Sequence, residues 1–174
     1  ISNPVELAGL SPTIEQVGEI TGHTAEASAL CDSLKERVEA VVNKVASAET
    51  KPVVYYELDA SDPAKPWTSG PGTFLDQLVT MAGGTNLGSV MSDAWAQISV
   101  EEILVQDPDL IVLGDSNYGI TADQVAARTG WESLSAVKNN NIFPFDDNIV
   151  SRPGPRLVEG LEQFAILIHP ELFK

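Results

Sequence analysis

The chain of 174 residues is long enough to bury the core of one domain. Ten basic and 25 acidic side chains give a formal net charge of −15. This charge excludes a protein that binds nucleic acid or anionic lipid, because both functions need clusters of Lys and Arg, and no apolar run approaches the roughly 20 residues that insert directly across a membrane.

Two helices are predicted at the start of the chain. Residues 11–20 form a short one, and residues 24–47 form a long amphipathic one of about 36 Å. Apolar side chains recur along the long helix at spacings of three and four, at Ala27, Leu30, Cys31, Leu34, Val38, Val41, Val42 and Val45. Cys31, the only cysteine, is expected to be a small core residue. A helix of this length is expected to span more than one packing unit.

From residue 52 onward the pattern alternates between strands and helices. Apolar runs predict strands at 53–58, 85–87, 109–114 and 141–145. Helices are predicted at 73–83, 99–106, 121–129 and 131–138, and a last one begins at Pro155. This alternation predicts an α/β fold, a Rossmann-like parallel sheet in three layers with helices on both faces. Ligands of such sheets bind at the carboxyl ends of the strands.

The loops expected at that edge of the sheet carry large aromatic side chains. Trp67, Trp95 and Tyr118 all fall in them. Amphipathic aromatics with polar neighbours are typical of small-molecule sites, although half-buried packing is the alternative for each one.

Two arginines flank the start of the last predicted helix. Arg152 lies in the preceding loop and Arg156 in the first helical turn, where a cation opposes the helix dipole. We therefore expect an arginine here to grip an anionic ligand group, or to pair with a nearby acid among Asp146, Asp147 and Glu159.

No motif predicts a reaction. The phosphate-binding loop, the glycine-rich dinucleotide loop and the nucleophile elbow are all missing from the sequence. His23 and His169 have no nucleophile beside them, and surface or capping roles are expected for both. The sequence therefore predicts a protein that is not an enzyme, with no cofactor and no metal site of its own.

Several short segments follow one another in a characteristic order. They are Gly70-Pro71-Gly72-Thr73-Phe74-Leu75-Asp76, Trp95-Ala96-Gln97-Ile98-Ser99, Asp107-Pro108-Asp109-Leu110, Arg152-Pro153-Gly154-Pro155-Arg156 and His169-Pro170-Glu171-Leu172-Phe173. No single segment is decisive, but the series, from about residue 11 to the C-terminus, resembles the substrate-binding component of ABC importers for cobalamin, haem and ferric siderophores.

The resemblance implies a domain organisation. Members of that family have two α/β lobes joined by one rigid backbone helix, with the ligand between the lobes. Residues 1–23 would be a remnant of the N-terminal lobe, residues 24–47 the interlobe helix and residues 48–174 the C-terminal substrate-binding lobe. Most of the first lobe would be missing, and the first residue, Ile1, also suggests a chain processed or cut from a longer protein.

The resemblance also implies a function outside the cytoplasm. The protein would capture a metal-chelate ligand in the periplasm, or at the cell surface as a lipoprotein, and deliver it to an ABC permease in the membrane. Which chelate it takes stays open. Two alternatives also stay open, namely a solitary lobe that serves as a protein-interaction domain, and a doubly wound enzyme without a recognisable catalytic motif.

Individual residues acquire expected roles from the same resemblance. Trp95 and Arg152 match positions that line the ligand cleft, and Asn148 stands where some members carry an acid. Glu101 matches the second-lobe glutamate that pairs with permease arginines. In the capping box Ser99-Val100-Glu101-Glu102 we expect Glu102 to fold back onto the cap, which leaves Glu101 pointing outward. Trp67 and Tyr118 complete the expected ligand-binding set.

Overall fold

The computed structural model describes residues 6–174, and the part of the predicted lobe remnant at 1–5 lies outside the described residues. Two helices open the described chain, α1 (Leu10–Thr21) and α2 (Thr24–Val45), which confirms both predicted helices. Gly22 ends α1 with a φ of 76°, a left-handed conformation that glycine adopts without strain. The two helices then pack so closely that a Cβ on Gly18 would lie 2.4 Å from the Cβ of Ala27.

Short strands and helices alternate through the rest of the chain. In order they are β1 (Val53–Glu57), β2 (Trp67–Ser69), α3 (Phe74–Met81), β3 (Thr85–Asn86), β4 (Trp95–Gln97), α4 (Val100–Gln106), β5 (Leu110–Leu113), α5 (Ala122–Ala126), α6 (Ser135–Lys138), β6 (Ile142–Pro144) and α7 (Leu157–Ile168). The helix predicted at 131–138 divides into a 3-10 turn, Trp131–Ser133, and α6, and α7 begins two residues beyond Pro155.

The main sheet is parallel, as the alternation predicted. Its strand order is β3-β1-β5-β6, with Tyr55 opposite Ile111 and Ile111 opposite Ile142. A second sheet was not predicted: β2 and β4 form an antiparallel pair in which Ser69 lies opposite Trp95. Trp67 and Trp95 therefore stand on strands, and their predicted placement in loops was wrong.

Apolar side chains pack on both faces of the parallel sheet, so that the sheet lies between two layers of helices. One cluster joins the strands to α2, α3 and α7, through Val41, Val54, Tyr56, Leu75, Leu78, Val112, Leu161 and Phe164. The other joins them to α4, α5 and α6, through Tyr55, Ile103, Ile111, Leu113, Val125, Trp131 and Ala136. Successive residues of a strand point to opposite faces, so adjacent Tyr55 and Tyr56 belong to different clusters.

A buried ion pair closes the carboxyl end of β1. The side chain of Glu57 is fully buried, and Arg128 donates to both of its oxygens, with Nη2 2.8 Å from Oε1. The hydroxyl of Tyr55 donates to Glu57 Oε2 at 3.2 Å, and the guanidinium also lies over the ring of Trp131. A bidentate guanidinium is the cation best suited to keep a buried carboxylate ionised.

We predict that Arg128→Met lowers the free energy of unfolding by about 3–5 kcal/mol, because it leaves the Glu57 carboxylate buried without a counter-ion. Denaturant unfolding followed by circular dichroism measures it. The control is Arg37→Met, which removes an equally bidentate pair with Glu162 whose side chains are about one third exposed; there we expect a loss of at most about 1 kcal/mol. Equal losses in the two variants contradict the prediction.

Candidate functional site

A cleft of about 620 Å³ opens at the carboxyl ends of β1, β5 and β6. The residues that line it are Leu58, Asp59, Ser61, Trp67, Gly114, Asp115, Tyr118, Ile120 and Asp147. This is the edge at which parallel α/β sheets hold their ligands. Trp67 and Tyr118, two of the residues predicted to bind ligand, are brought together here.

The floor of the cleft is formed where β5 ends. Gly114 passes over the hydroxyl of Tyr56 so closely that a Cβ would lie 2.3 Å from that oxygen, which only glycine allows. Asp115 follows, with 3% of its surface exposed. The backbone N–H of Ala60 donates to Asp115 Oδ2 at 3.3 Å, whereas the buried Oδ1 has no hydrogen-bond partner among the described residues.

The position of Asp115 makes its ionisation unfavourable. Burial, and then the neighbouring carboxylate of Glu57, raise the pKa of Asp115 to about 6. The N–H of Ala60 and the charge of Arg128 act in the opposite direction but do not compensate. Asp115 thus combines an unfavourable ionisation with an unsatisfied oxygen at the base of an open cleft.

The other two acids in the lining have partners within the protein. The N–H and hydroxyl of Ser61 donate to Asp59 at 2.7 and 2.5 Å, and these bonds lower the pKa of Asp59. The hydroxyl of Tyr56 donates to Asp147 at 2.8 Å, and burial together with this carboxylate raises the pKa of Tyr56. Asp115 differs from both acids because its unpaired oxygen is buried.

Three exposed aromatic side chains lie at and beside the rim. Trp67 is 41% exposed, Trp95 47% and Tyr118 88%. The backbone of Trp67 pairs with the loop after β1, its N–H donating to Asp59 O at 2.7 Å. In the β2–β4 register Trp67 and Trp95 are diagonal neighbours on one face of the pair. Trp95 therefore extends the aromatic surface away from the cleft, although it is not part of the lining.

Asn148 and the two arginines lie away from the floor. Asn148 is exposed and donates twice to Asp146, at 3.1 Å from its backbone and 2.9 Å from its side chain. Arg156 lies 3.7 Å from Asp146 and 3.4 Å from Glu159, so it pairs with local acids, the second of the two roles expected here.

Arg152 is exposed and is not among the cleft-lining residues. The residues that follow it, Pro153–Pro155, line a different and strongly apolar groove of about 400 Å³ against α1 and α2. The structure therefore does not bring Arg152 together with Trp67 and Tyr118.

Glu101 lies in the first turn of α4 and is exposed. The N-cap forms as predicted, with the hydroxyl of Ser99 accepting from the N–H of Glu102 at 3.1 Å. The expected fold-back of Glu102 was wrong: its carboxylate accepts from Gln106 Nε2 at 2.9 Å, one helical turn further along. Glu102 and Gln106 are four residues apart and therefore lie on the same face of the helix, where their side chains bond each other in place of the bond from Glu102 to the cap.

Sequence reasoning missed the acidic floor. Glu57 is the last residue of the buried strand β1, and Asp115 is the second residue after the buried strand β5. An acid at the end of a buried apolar run was the signal that could have identified them. Asp147 was considered only as a partner for an arginine.

Within residues 6–174 no group of three His, Cys, Asp or Glu side chains is arranged to hold a metal ion, and no helix has the length and apolar character needed to cross a membrane.

We predict that Asp115→Asn stabilises the protein at neutral pH. The folded-state pKa of about 6 lies above the ordinary value of 3.8, so folding favours the protonated carboxyl, and the stability this provides is lost as the pH rises from 3.8 through 6. The loss is ~3 kcal/mol above pH 7, and the neutral amide avoids it. Thermal unfolding should show the variant melting higher at pH 7.5, with the difference vanishing near pH 3.5. A gain independent of pH would contradict this origin.

Comparison with known proteins identifies relatives of the chain. An uncharacterized ABC transporter substrate-binding lipoprotein of Bacillus subtilis is 30% identical over 162 residues, 93% of this chain and 50% of the relative. A cobalamin-binding protein of Halobacterium salinarum is 30% identical over 159 residues, 88% of this chain and 42% of that protein. The chain thus spans about half the length of these relatives.

A solved structure shares the fold. The crystal structure of a possible iron-binding, periplasmic solute-binding protein of Staphylococcus epidermidis superposes with a TM-score of 0.81 at 26% identity, and the match covers 97% of this chain and 64% of the other. The family described as periplasmic binding protein matches residues 2–149. By this match, and by the parallel α/β architecture it shares with its solved relatives, the chain belongs to the periplasmic binding protein family.

Proposed function

We propose that the chain is the ligand-binding lobe of an ABC importer's substrate-binding protein, which captures a metal chelate outside the cytoplasm, in the periplasm or at the cell surface, and delivers it to a membrane permease. The observation that carries the proposal is the cleft at the carboxyl edge of the sheet with Trp67 and Tyr118 in its lining. Exposed aromatic faces beside a polar floor suit a large ligand with apolar faces and a polar periphery.

The known relatives support a metal chelate as the ligand class. One is named as a cobalamin-binding protein and a solved neighbour as possibly iron-binding. Capture and release make and break no covalent bond, and the family members compared above are binding proteins. We therefore propose no catalytic role for any residue of the cleft.

We further propose that residues 48–174 form the second lobe, residues 24–47 the interlobe helix and residues 1–23 the end of the first lobe. The exposed apolar side chains of α1 and α2 support this division. Val17, Ile20 and Leu30 are between 39% and 69% exposed on these two helices, beside the apolar groove that reaches Pro153–Pro155. Apolar surface of this kind marks a site of protein contact.

The same groove favours the second candidate function, a solitary lobe that binds another protein. A partner on α1 and α2 would cover the groove and leave the cleft of Trp67 and Tyr118 unused. Binding of a chelate in that cleft therefore separates the two functions.

We predict that this chain binds cyanocobalamin, haemin or a ferric hydroxamate, and that the affinity is weak because a single lobe supplies one face of contact. Trp95→Ala should weaken that binding by on the order of 30-fold, the loss of about 2 kcal/mol typical of an aromatic anchor. Arg152→Ala should weaken it too, because Arg152 is an exposed cation in the connection between β6 and α7, which begins at the carboxyl edge of the sheet. Equilibrium dialysis at high protein concentration measures the affinities. Sub-micromolar binding by the chain as a monomer would show that one lobe suffices.

The control is Val105→Ala, which truncates an exposed apolar side chain on α4 that is not among the residues lining the cleft. It should leave affinity unchanged. Affinities within twofold of the parent for both Trp95→Ala and Arg152→Ala would remove these residues from the ligand site.

We predict that Glu101 docks the protein on its permease. Its carboxylate is exposed, and a charge-assisted pair with a permease arginine would be lost in Glu101→Ala and made repulsive in Glu101→Arg. Uptake by a reconstituted transporter with the gene's complete product should fall strongly, and most in Glu101→Arg, with ligand affinity unchanged.

Glu102→Ala provides the control on the same helical turn, since it removes only the bond to Gln106. It should lower stability slightly and spare uptake. A role of Glu101 in stabilising the helix N-terminus alone predicts normal uptake in all three variants, which would refute docking.

A further inference from the structure

The antiparallel pair β2–β4 is too short to hold Trp67 in place by itself. Each of its two strands has three residues, and an isolated pair of strands is marginally stable in water at best. Trp67 begins β2, and its side chain lines the cleft. The position of this side chain therefore depends on the contacts that attach β2 to the rest of the protein.

Three hydrogen bonds attach β2 to the end of β1 and the residues after it. Two of them join backbones: the N–H of Leu58 donates to Trp67 O at 2.9 Å, and the N–H of Trp67 donates to Asp59 O at 2.7 Å. The third comes from the next side chain, since Thr68 Oγ1 donates to Tyr56 O at 2.8 Å. Thr68 and Tyr56 are both buried, so this third bond is shielded from water.

Thr68 acts on the cleft without reaching the ligand. Its side chain has no exposed surface, and it is not among the residues that line the cleft. Successive residues of a strand point to opposite sides, so Thr68 packs inward while Trp67 is turned outward. The hydroxyl of Thr68 can influence a ligand only through the backbone that it shares with Trp67.

Loss of this hydroxyl would loosen β2 without detaching it. A valine of the same shape would leave Tyr56 O buried without the donor that it now has. The two backbone bonds of Trp67 would remain, as would a bond at the other end of the strand, where Asn86 Nδ2 donates to Ser69 O at 2.9 Å.

We propose that Thr68 is a positioning residue of the ligand site: its bond to Tyr56 O holds β2 so that the indole of Trp67 already stands where it contacts the bound chelate. The inference rests on the proposed function and adds to that site a residue that no ligand touches. A side chain that is ordered before binding loses less conformational entropy when the ligand arrives. Without the Thr68 bond, ligand binding itself would have to order β2, which lowers affinity.

Two substitutions of Thr68 separate positioning from stability. Thr68→Val keeps the shape and removes the hydroxyl, whereas Thr68→Ser keeps the hydroxyl and removes a buried methyl group. Equilibrium dialysis with cyanocobalamin, haemin and a ferric hydroxamate should show affinity about fivefold weaker in Thr68→Val, the equivalent of one hydrogen bond. Thr68→Ser should bind within twofold of the parent, although denaturant unfolding should show it to be destabilised by the lost methyl. Equal affinities in Thr68→Val and the parent overturn the inference.

A double variant and a matched control test whether the effect passes through Trp67. In a Trp67→Ala background, Thr68→Val should weaken binding no further, because there is no indole left to position. The control is Thr13→Val on α1, which removes a hydroxyl that also donates to a backbone carbonyl, Gly9 O at 3.0 Å, and lies outside the cleft lining. It should keep the parent affinity. Losses that add in the double variant contradict a role through Trp67.

Nuclear magnetic resonance of the ligand-free chain gives a readout that does not depend on the ligand. The heteronuclear NOE of the Trp67 indole N–H should fall in Thr68→Val and recover in Thr68→Ser, with the buried Trp131 indole unchanged in both. An unchanged Trp67 signal in Thr68→Val overturns the role of Thr68 while leaving chelate capture intact. A parent chain that binds none of the three chelates contradicts the proposed function and the inference with it.

Discussion

The ion pair between Glu57 and Arg128 determines the chemistry of the whole carboxyl edge of the sheet. Glu57 ends β1 inside the core, where an ionised carboxylate persists only beside a cation with several donors, and Arg128 supplies two. Once the guanidinium is engaged in this way, the second acid of the floor, Asp115, has no cation of its own. The cleft consequently has acidic side chains at its floor and the aromatic side chains of Trp67 and Tyr118 in its lining.

A buried acid with an unpaired oxygen lowers the stability of a folded protein. Proteins keep such a residue where a function depends on it. Burial and the neighbouring Glu57 raise the pKa of Asp115, and Gly114, which precedes it, passes close over the hydroxyl of Tyr56. Natural proteins commonly retain such destabilising groups at binding sites, where stability and activity compete. Asp115 also accepts from the N–H of Ala60 and so connects the end of β5 to the loop after β1.

Periodic patterns were enough to predict most of the architecture. The long helix α2 and the buried strand β5 are strong signals, since spacings of three and four or a run of apolar residues are read directly from the chain. The β2–β4 pair escaped detection because three-residue strands hold too little periodicity and form through tertiary contacts. The partnership of Glu57 with Arg128 spans 71 residues and leaves no local pattern, so the acidic floor was found only in the structure.

A metal chelate that binds at the carboxyl edge of the sheet would perturb the backbone amides around the cleft. Chemical-shift mapping detects such perturbation when the isotope-labelled chain is titrated in turn with cyanocobalamin, a ferric hydroxamate and a diamagnetic metalloporphyrin. We expect saturable shifts for at least one of them, concentrated at the backbone amides of Ala60, Trp67 and Asp115. Shifts confined to the groove between α1 and α2, or no saturable shift with any of the three, would contradict it.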